Sequence, residues 1–203
     1  TLNPKEIEKI IDGISLNPVT CYAECDASIS SIQVSGGTPF TGPYSYLYSV
    51  NGGLPHPNMS YFNGYCAGTY TVEVTDLYCA TSTYLIINEP TLLDVNITTS
   101  LWNNYQVKCF GENSGSADIL AVGGTAPYDL SYYEVGTPPI STSSSIVSGL
   151  SAGIYTFEVV DDHGCDTSIT ITYYEPDPIS HNFIPSHVTC NAWNNGSLID
   201  SVY

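Results

Sequence analysis

Hydrophobic and polar residues alternate most regularly in two ten-residue stretches, 67–76 and 152–161, which are identical at seven positions. In the first stretch Tyr70, Val72 and Val74 stand at every second position, with Thr or Glu between them. Successive side chains of a strand point to opposite faces of the sheet. Each stretch is therefore predicted to be a strand with one buried and one solvated face.

The rest of the chain repeats around these two strands. Cys79 and Cys165 are 86 residues apart, and so are Pro90 and Pro176, each of which follows a Glu. This spacing predicts tandem units. They are residues 1–4, the end of a preceding repeat; 5–90, the first repeat; 91–176, the second repeat; and 177–203, a linker with the first strands of an incomplete third repeat or donor segment.

Further strands are predicted on either side of each organising strand. A Val-x-Cys triplet precedes a second strand at 28–35 and again at 116–122, and each of these strands ends in a Gly-Gly turn. A tyrosine-rich third strand follows. About seven strands in roughly 85 residues is typical of a β-sandwich, and the Ala-Gly-x-Tyr entry resembles the corner tyrosine of immunoglobulin-like sandwiches. We therefore predict an all-β protein of tandem immunoglobulin-like sandwiches with an incomplete third unit.

The first predicted element allows two interpretations. The spacing of Ile7, Ile10 and Ile11 after Pro4 suits a capped helix over 5–18. In repeat register, the same residues fall on positions that alternate with period two elsewhere. The register favours a first strand.

Composition and charge exclude several classes of function. The chain has three lysines, no arginine and twenty acidic residues, with a formal net charge of −17. Such a chain repels nucleic acid and anionic lipid. No apolar run approaches the length of a membrane span, and no signal peptide is present, so a secreted form would be a mature or partial chain.

Seven cysteines without C-x-x-C pairs or metal-ligand spacing indicate disulfides and an oxidising compartment. Three glycosylation sequons, at Asn58, Asn96 and Asn195, agree with an extracellular location. Asn96 is expected to point away from the face that carries Val95.

The combined motifs resemble a known family. Val-x-Cys, a strand ending in Gly-Gly-Thr-x-Pro-Tyr, Ala-Gly-x-Tyr-Thr-x-x-Val-x-Asp, x-x-Gly-Cys and a closing Glu-Pro are similar to SprB-type repeats. These are tandem immunoglobulin-like units of very large bacterial cell-surface adhesins, including gliding adhesins. The resemblance is best over 107–176. The first repeat departs from it, with Tyr78 aligned to Gly164 and an extra Cys25. The resemblance implies a surface stalk or adhesive array and no enzymatic activity.

The direction of the strands constrains the cysteines. Cys25 and Cys66 occur only in the first repeat, at the same end of the predicted sandwich, and are predicted to pair. Cys21 and Cys79 lie at opposite poles, about 23 Å apart for a seven-residue strand, beyond the reach of a disulfide. We therefore predict a Cys21–Cys165 staple across the junction between repeats.

Cys79, Cys109 and Cys190 would then find partners in neighbouring units. The alternative is pairing within repeats, Cys21–Cys79 and Cys109–Cys165, which requires one strand fewer.

No catalytic residue, cofactor site or metal site is predicted. The four histidines are scattered, and the Asp161–His163 stretch could bind a cation, although an Asp-rich turn explains it as well. Calcium at the junction could use carboxylate oxygens, but solvated acids near a Pro-containing linker are the better interpretation. The candidate ligands for that ion are Glu89, Asp94, Glu175 and Asp177.

Three functions follow from this sequence. The first is an extracellular structural segment of a surface filament or adhesive stalk, assembled with itself head to tail through strand complementation or disulfide staples. The second is a glycan- or protein-binding adhesin module that uses loops 51–66 or 135–150. The third is an accessory β-domain of a secreted enzyme.

Overall fold

The computed structural model describes residues 10–41, 45–57 and 62–202. Every regular element in these ranges is a β-strand, which confirms the all-β prediction. The strands are β1 (Ile10–Asn17), β2 (Ala27–Ser35), β3 (Leu47–Val50), β4 (Asn63–Tyr65), β5 (Gly68–Thr75), β6 (Ala80–Ile87), β7 (Asp94–Thr99), β8 (Gly115–Val122), β9 (Tyr128–Glu134), β10 (Ile140–Thr142), β11 (Ile146–Leu150), β12 (Gly153–Asp161), β13 (Asp166–Tyr173), β14 (His181–Ser186) and β15 (Ser197–Val202). Over the ranges described, no helix is long and apolar enough to span a bilayer.

Spatial proximity groups the chain into two compact units. The first contains Thr1–Val95, Ala121–Asp129 and Val159–Thr167; the second contains Asn96–Leu120, Leu130–Glu158 and Ser168–Tyr203. Proximity and sequence repetition are different criteria, so the repeat boundaries at 5–90 and 91–176 stay a prediction.

The first unit contains a sandwich of two three-stranded sheets, β1-β2-β4 and β3-β5-β6. Apolar residues of both sheets share one core, including Ile29 and Ile32 of β2 and Val72 and Val74 of β5. The strands correspond to A-B-E and C-F-G of an immunoglobulin-like fold, in the same order. The paired sheets confirm an immunoglobulin-like sandwich.

The alternation that defines the organising strand matches its burial. In β5, Val72 and Val74 are buried and Tyr70 is half-buried on the same face. The first element, β1, pairs with β2 as an antiparallel strand. The helix interpretation of 5–18 is thus wrong over Ile10–Asn17, where Ile14 and Leu16 alternate along the strand and pack, partly buried, against the core. Residues 5–9 lie outside the described ranges.

The second repeat forms sheets β11-β8-β7 and β10-β9-β12-β13, seven strands in all. In the second unit, Tyr173 of β13 is buried, and its hydroxyl donates to the Ser116 carbonyl oxygen of β8 at 3.0 Å. A Cβ at Gly115 would lie 2.7 Å from the Leu150 carbonyl oxygen, so the backbones approach closely there. Burial, with a smaller contribution from Tyr155, raises the pKa of Tyr173 to about 12.

Both predicted Gly-Gly turns use backbone conformations that favour glycine. The φ angles are 75° and 73° at Gly36 and Gly37, and 80° and 59° at Gly123 and Gly124. A side chain is strained in this left-handed region.

Residues 181–202, where the sequence predicts the first strands of a third repeat, form one hairpin in which β14 pairs with β15 from His181↔Val202 to Ser186↔Ser197. Phe183 and Leu198 keep 50% and 63% of their surface exposed. Two strands alone bury little apolar surface, as expected for an incomplete unit.

Candidate functional site

The most distinctive local structure is the loop between the first two strands of each repeat, called here the A–B loop. In all three copies the cysteine carbonyl accepts a hydrogen bond at 3.2 Å from the residue three positions later. The residue two positions after the cysteine has a positive φ in each copy: 61° at Ala23, 71° at Gly111 and 64° at Ala192. Cys21, Cys109 and Cys190 therefore begin the same turn.

A polar side chain caps each loop at its start. Asp26 accepts from the Thr20 backbone and hydroxyl. The Ser114 hydroxyl accepts from Lys108 N at 2.9 Å. The Asn195 side-chain oxygen accepts from Thr189 N at 3.2 Å. Hydrogen bonds from the Thr20 hydroxyl and backbone lower the pKa of Asp26, since they favour its charged form.

A glutamate at the closing Glu-Pro supports the same loop. Glu89 accepts a hydrogen bond from Ala23 N at 2.6 Å, and Glu175 accepts one from Gly111 N at 2.7 Å. These two carboxylates, candidate calcium ligands from the sequence, are used in hydrogen bonds to their own repeats. The described residues hold no group of three His, Cys, Asp or Glu side chains that could bind a metal ion.

The opposite pole of each repeat is organised by the aspartate that ends strand F. Asp161 Oδ1 accepts from His163 N and Cys165 N, both at 2.9 Å, and Oδ2 accepts from Thr125 N at 2.9 Å. Burial alone would raise the pKa of Asp161, but these backbone donors together lower it. The side chain therefore fixes the F–G turn, Asp161–Cys165, to the Gly-Gly turn.

The first repeat has the same arrangement around Asp76. Its carboxylate accepts from Tyr78 N at 2.9 Å, Cys79 N at 2.7 Å and Thr38 N at 2.8 Å. By these bonds Tyr78 corresponds to His163. The alignment of Tyr78 with Gly164 is wrong, because the second F–G turn contains one extra residue, the glycine.

Within the first unit, an A–B loop and an F–G turn meet. Cys21 and Cys165 form a disulfide with their Cα atoms 5.8 Å apart, the pairing that strand direction predicts. Beside it, His163 Nδ1 lies 3.2 Å from the Thr20 carbonyl oxygen. We call this combination the disulfide seam. It joins the first repeat to the F–G turn of the second.

A second disulfide, Cys25–Cys66, links the A–B loop of the first repeat to the start of its F strand. The Tyr70 hydroxyl donates to the Cys66 carbonyl oxygen at 3.0 Å, which is a tyrosine corner. In the second unit the Tyr155 hydroxyl lies 3.0 Å from the Ser151 hydroxyl instead. The tyrosine of the second unit thus has a side-chain hydroxyl as its partner, where that of the first has a backbone carbonyl.

Cys79, Cys109 and Cys190 are exposed. Cys79 lies in the F–G turn of the first repeat, whereas Cys109 and Cys190 begin A–B loops. Each thus occupies a position equivalent to one half of the disulfide seam.

The three sequons have different surroundings. Asn96 is exposed and follows the buried Val95 on β7, consistent with its expected outward direction. Asn195 caps an A–B loop and donates from its amide nitrogen to Thr189 Oγ1 at 2.7 Å. Asn58 lies outside the described residues.

Sequence reasoning missed the supporting residues and one insertion. The repeat itself gave a signal for these supporting residues, because they stand at matching positions of the two copies: Asp76 with Asp161, and Glu89 with Glu175. The insertion is a small hairpin in which Trp102 and Tyr105 exchange backbone hydrogen bonds of 2.7 and 2.9 Å. Its signal was the longer spacer before the second Val-x-Cys.

One comparison with known proteins agrees with the motif resemblance. The family model of the SprB repeat matches residues 105–131. No curated protein matches the chain. One structural match is the C-terminal 282-residue fragment of intimin in complex with the translocated intimin receptor intimin-binding domain, with 16% identity and a TM-score of 0.43. The match covers 87% of this chain and 66% of that fragment. Residues 105–131 of this chain thus match the SprB repeat, the family that the sequence motifs predict.

Proposed function

We propose that this chain is an extracellular structural segment of a surface filament or adhesive stalk, built from immunoglobulin-like repeats joined head to tail. The observation that carries the proposal is the disulfide seam, in which the A–B loop of one repeat is bonded to the F–G turn of the next. A covalent bond at this point stiffens a tandem array against bending. The SprB repeat match supports a surface role.

The same half-sites recur beyond the seam. Cys109 begins an A–B loop with the same turn, cap and glutamate support as the loop of Cys21. We propose that Cys79, Cys109 and Cys190 have their disulfide partners in neighbouring units. Repetition of one joint is what a linear array requires, because a head-to-tail contact that does not close forms a filament.

The β14–β15 hairpin is the proposed second joint. Its apolar side chains, such as Phe183 and Leu198, stay exposed while the equivalent A and B strands of both complete repeats cover a core. A neighbour that supplies the remaining strands would bury them, which is strand complementation. The proposed partner is another copy of this chain, with surface glycans as candidate ligands of the array. Asn96 and Asn195 are both exposed, and they are the proposed glycan sites within the described residues.

Negative-stain electron microscopy of the purified chain under non-reducing conditions tests this function. We expect filaments from the intact chain and none after deletion of 177–203, with the unfolding transitions of the two sandwiches unchanged as the control. Filaments that persist in the deletion variant would contradict strand complementation. A monomer that binds a glycan array through loops 51–66 or 135–150 would favour the adhesin module.

A further inference from the structure

A small hairpin distinguishes the A–B pole of the second repeat from that of the first. Only Pro18 separates β1 from the first Val-x-Cys, whereas β7 is followed by an insertion that turns at Asn103 and Asn104, with φ of 49° and 74°. Positive φ at both central residues is the signature of a type I′ turn. The inserted hairpin therefore has a defined structure.

The hairpin is attached to Tyr174, the residue that follows β13. Gln106 N and Val107 N both donate to the Tyr174 carbonyl oxygen at 3.1 Å. In return, Tyr174 N donates to the Gln106 side-chain oxygen at 3.0 Å. These three hydrogen bonds hold the base of the hairpin in place, so the positions of its exposed residues are defined.

The surface it presents is apolar. Leu101 and Trp102 are 63% and 36% exposed, and Phe110 in the adjoining A–B loop is 56% exposed. All three lie between β7 and β8 and therefore at the same end of that sheet. We call Leu101, Trp102 and Phe110 the apolar seat.

An exposed apolar counterpart lies on the F–G turn of the first repeat, where Leu77 is 46% and Tyr78 is 77% exposed. The start of this turn forms the same backbone hydrogen bond as the F–G turn of the second repeat. Leu77 N donates to the Thr38 carbonyl as Asp162 N donates to the Thr125 carbonyl. Tyr78 thus stands where His163 stands in the disulfide seam, and His163 is the residue whose ring reaches an A–B loop.

We propose that Leu77 and Tyr78 of a second copy of this chain bind the apolar seat. The inference rests on the proposed head-to-tail assembly and identifies which surfaces meet. The chain already forms this kind of contact once, at the disulfide seam, where His163 of the F–G turn makes a polar contact with the Thr20 carbonyl oxygen. At the F–G turn of the first repeat and at the A–B pole of the second repeat the exposed residues are apolar, so each of these two surfaces fits the other.

The contact has a direction. Each copy carries one seat and one Leu77–Tyr78 turn, so the interface is heterologous and copies add in one orientation. Large aromatic residues in the centre of an interface contribute most of its binding energy. We therefore expect Tyr78 and Trp102 to dominate the association.

Sedimentation velocity of the full chain over a range of concentrations tests the contact, in a Cys109→Ser background so that a disulfide at this joint does not mask it. Tyr78→Ser or Trp102→Ser should weaken self-association about tenfold or more. Tyr84→Ser on β6 is the matched control for Tyr78→Ser, because the two tyrosines are 78% and 77% exposed, and Ile146→Ser on β11 removes another exposed apolar side chain, 61%, elsewhere. They should leave association unchanged.

An equimolar mixture of Tyr78→Ser and Trp102→Ser chains gives the sharpest result. Each variant keeps one intact surface, so the mixture should form dimers and stop there. Association that neither substitution weakens, or that the controls weaken equally, would overturn the proposed contact at the apolar seat. If wild-type chains still form filaments in micrographs, the proposed function stands in that case. A wild-type chain that does not associate at all would overturn both.

Discussion

The Nδ1 atom of His163 lies 3.2 Å from the carbonyl oxygen of Thr20, although the two residues are 143 positions apart in the chain. The next residue after Thr20 is bonded through its sulfur to Cys165, two positions beyond His163. A polar contact and a covalent bond therefore secure the same two loops. The contact depends on both loops, because the A–B loop belongs to the first repeat and the F–G turn to the second.

The cysteine pairing is directly testable. Digestion under non-reducing conditions, after free thiols have been blocked, should release linked peptides containing Cys21–Cys165 and Cys25–Cys66. Removing the first bridge by Cys21→Ser with Cys165→Ser should lower the free energy of unfolding by roughly 2–4 kcal/mol, because a disulfide restricts the unfolded chain. Cys190→Ser is the control and should leave thermal unfolding unchanged. Peptides linked through Cys21–Cys79 or Cys109–Cys165 would contradict this pairing.

Asp161 should make stability depend on pH in the acid range. Its pKa is lowered in the folded state, so its contribution is present above about pH 4 and is lost as the pH falls through the folded pKa. Asp161→Asn replaces an acceptor with an amide that can donate, and should cost about 2–3 kcal/mol at pH 7. Urea unfolding of both proteins at several pH values measures the difference in their free energies of unfolding.

The difference between wild type and Asp161→Asn should shrink as the pH falls below about 4 and through the lowered pKa of the folded Asp161 carboxyl. Asp162→Asn is the matched control, because that neighbouring side chain is exposed. A difference that stays constant from neutral to strongly acidic pH would refute an electrostatic role for Asp161.

Alanine substitutions at two glycines distinguish the cost of backbone strain from the cost of steric crowding. Gly124 has a φ of 59°, and a Cβ there would lie 2.7 Å from Asp161 Oδ2. Gly164 has a φ of 85°, and a Cβ there would meet no heavy atom of the described residues within 4 Å beyond its chain neighbours. Gly164→Ala should cost about 1 kcal/mol from the backbone alone. Gly124→Ala should cost at least about 2 kcal/mol, since the added methyl also displaces the carboxylate.

Thermal unfolding of the two glycine variants provides the measurement. Combining Gly124→Ala with Asp161→Asn should give less than the sum of the two single effects, because both disturb the same cluster. Equal losses from Gly124→Ala and Gly164→Ala would show that crowding at the Gly-Gly turn is unimportant.

Much of the fold could be predicted from the sequence because its signal is local. Tyr70, Val72 and Val74 alternate with polar residues, and that period alone indicates which side of the strand faces a core. The glycines of the Gly-Gly turns likewise indicate positive φ angles without reference to any distant residue. Repetition then extended these local interpretations to the second copy.

The site was harder to predict because its contacts are distant in sequence. Asp161 binds the backbone of Thr125, 36 positions away, and Glu89 binds that of Ala23, 66 positions away. An Asp at the end of a strand or a Glu before a proline is typical of many solvated surfaces, so neither residue type identifies its partner.

By itself, the sequence determined the strand pattern, the repeat and the family resemblance, since periodicity and spacing are written along the chain. The tertiary structure decided which backbone donors reach Asp161 and Glu89, that Tyr78 corresponds to His163, and that the insertion before Cys109 is an anchored hairpin. These depend on where distant segments lie in space, and hydrogen bonds form only over about 3 Å.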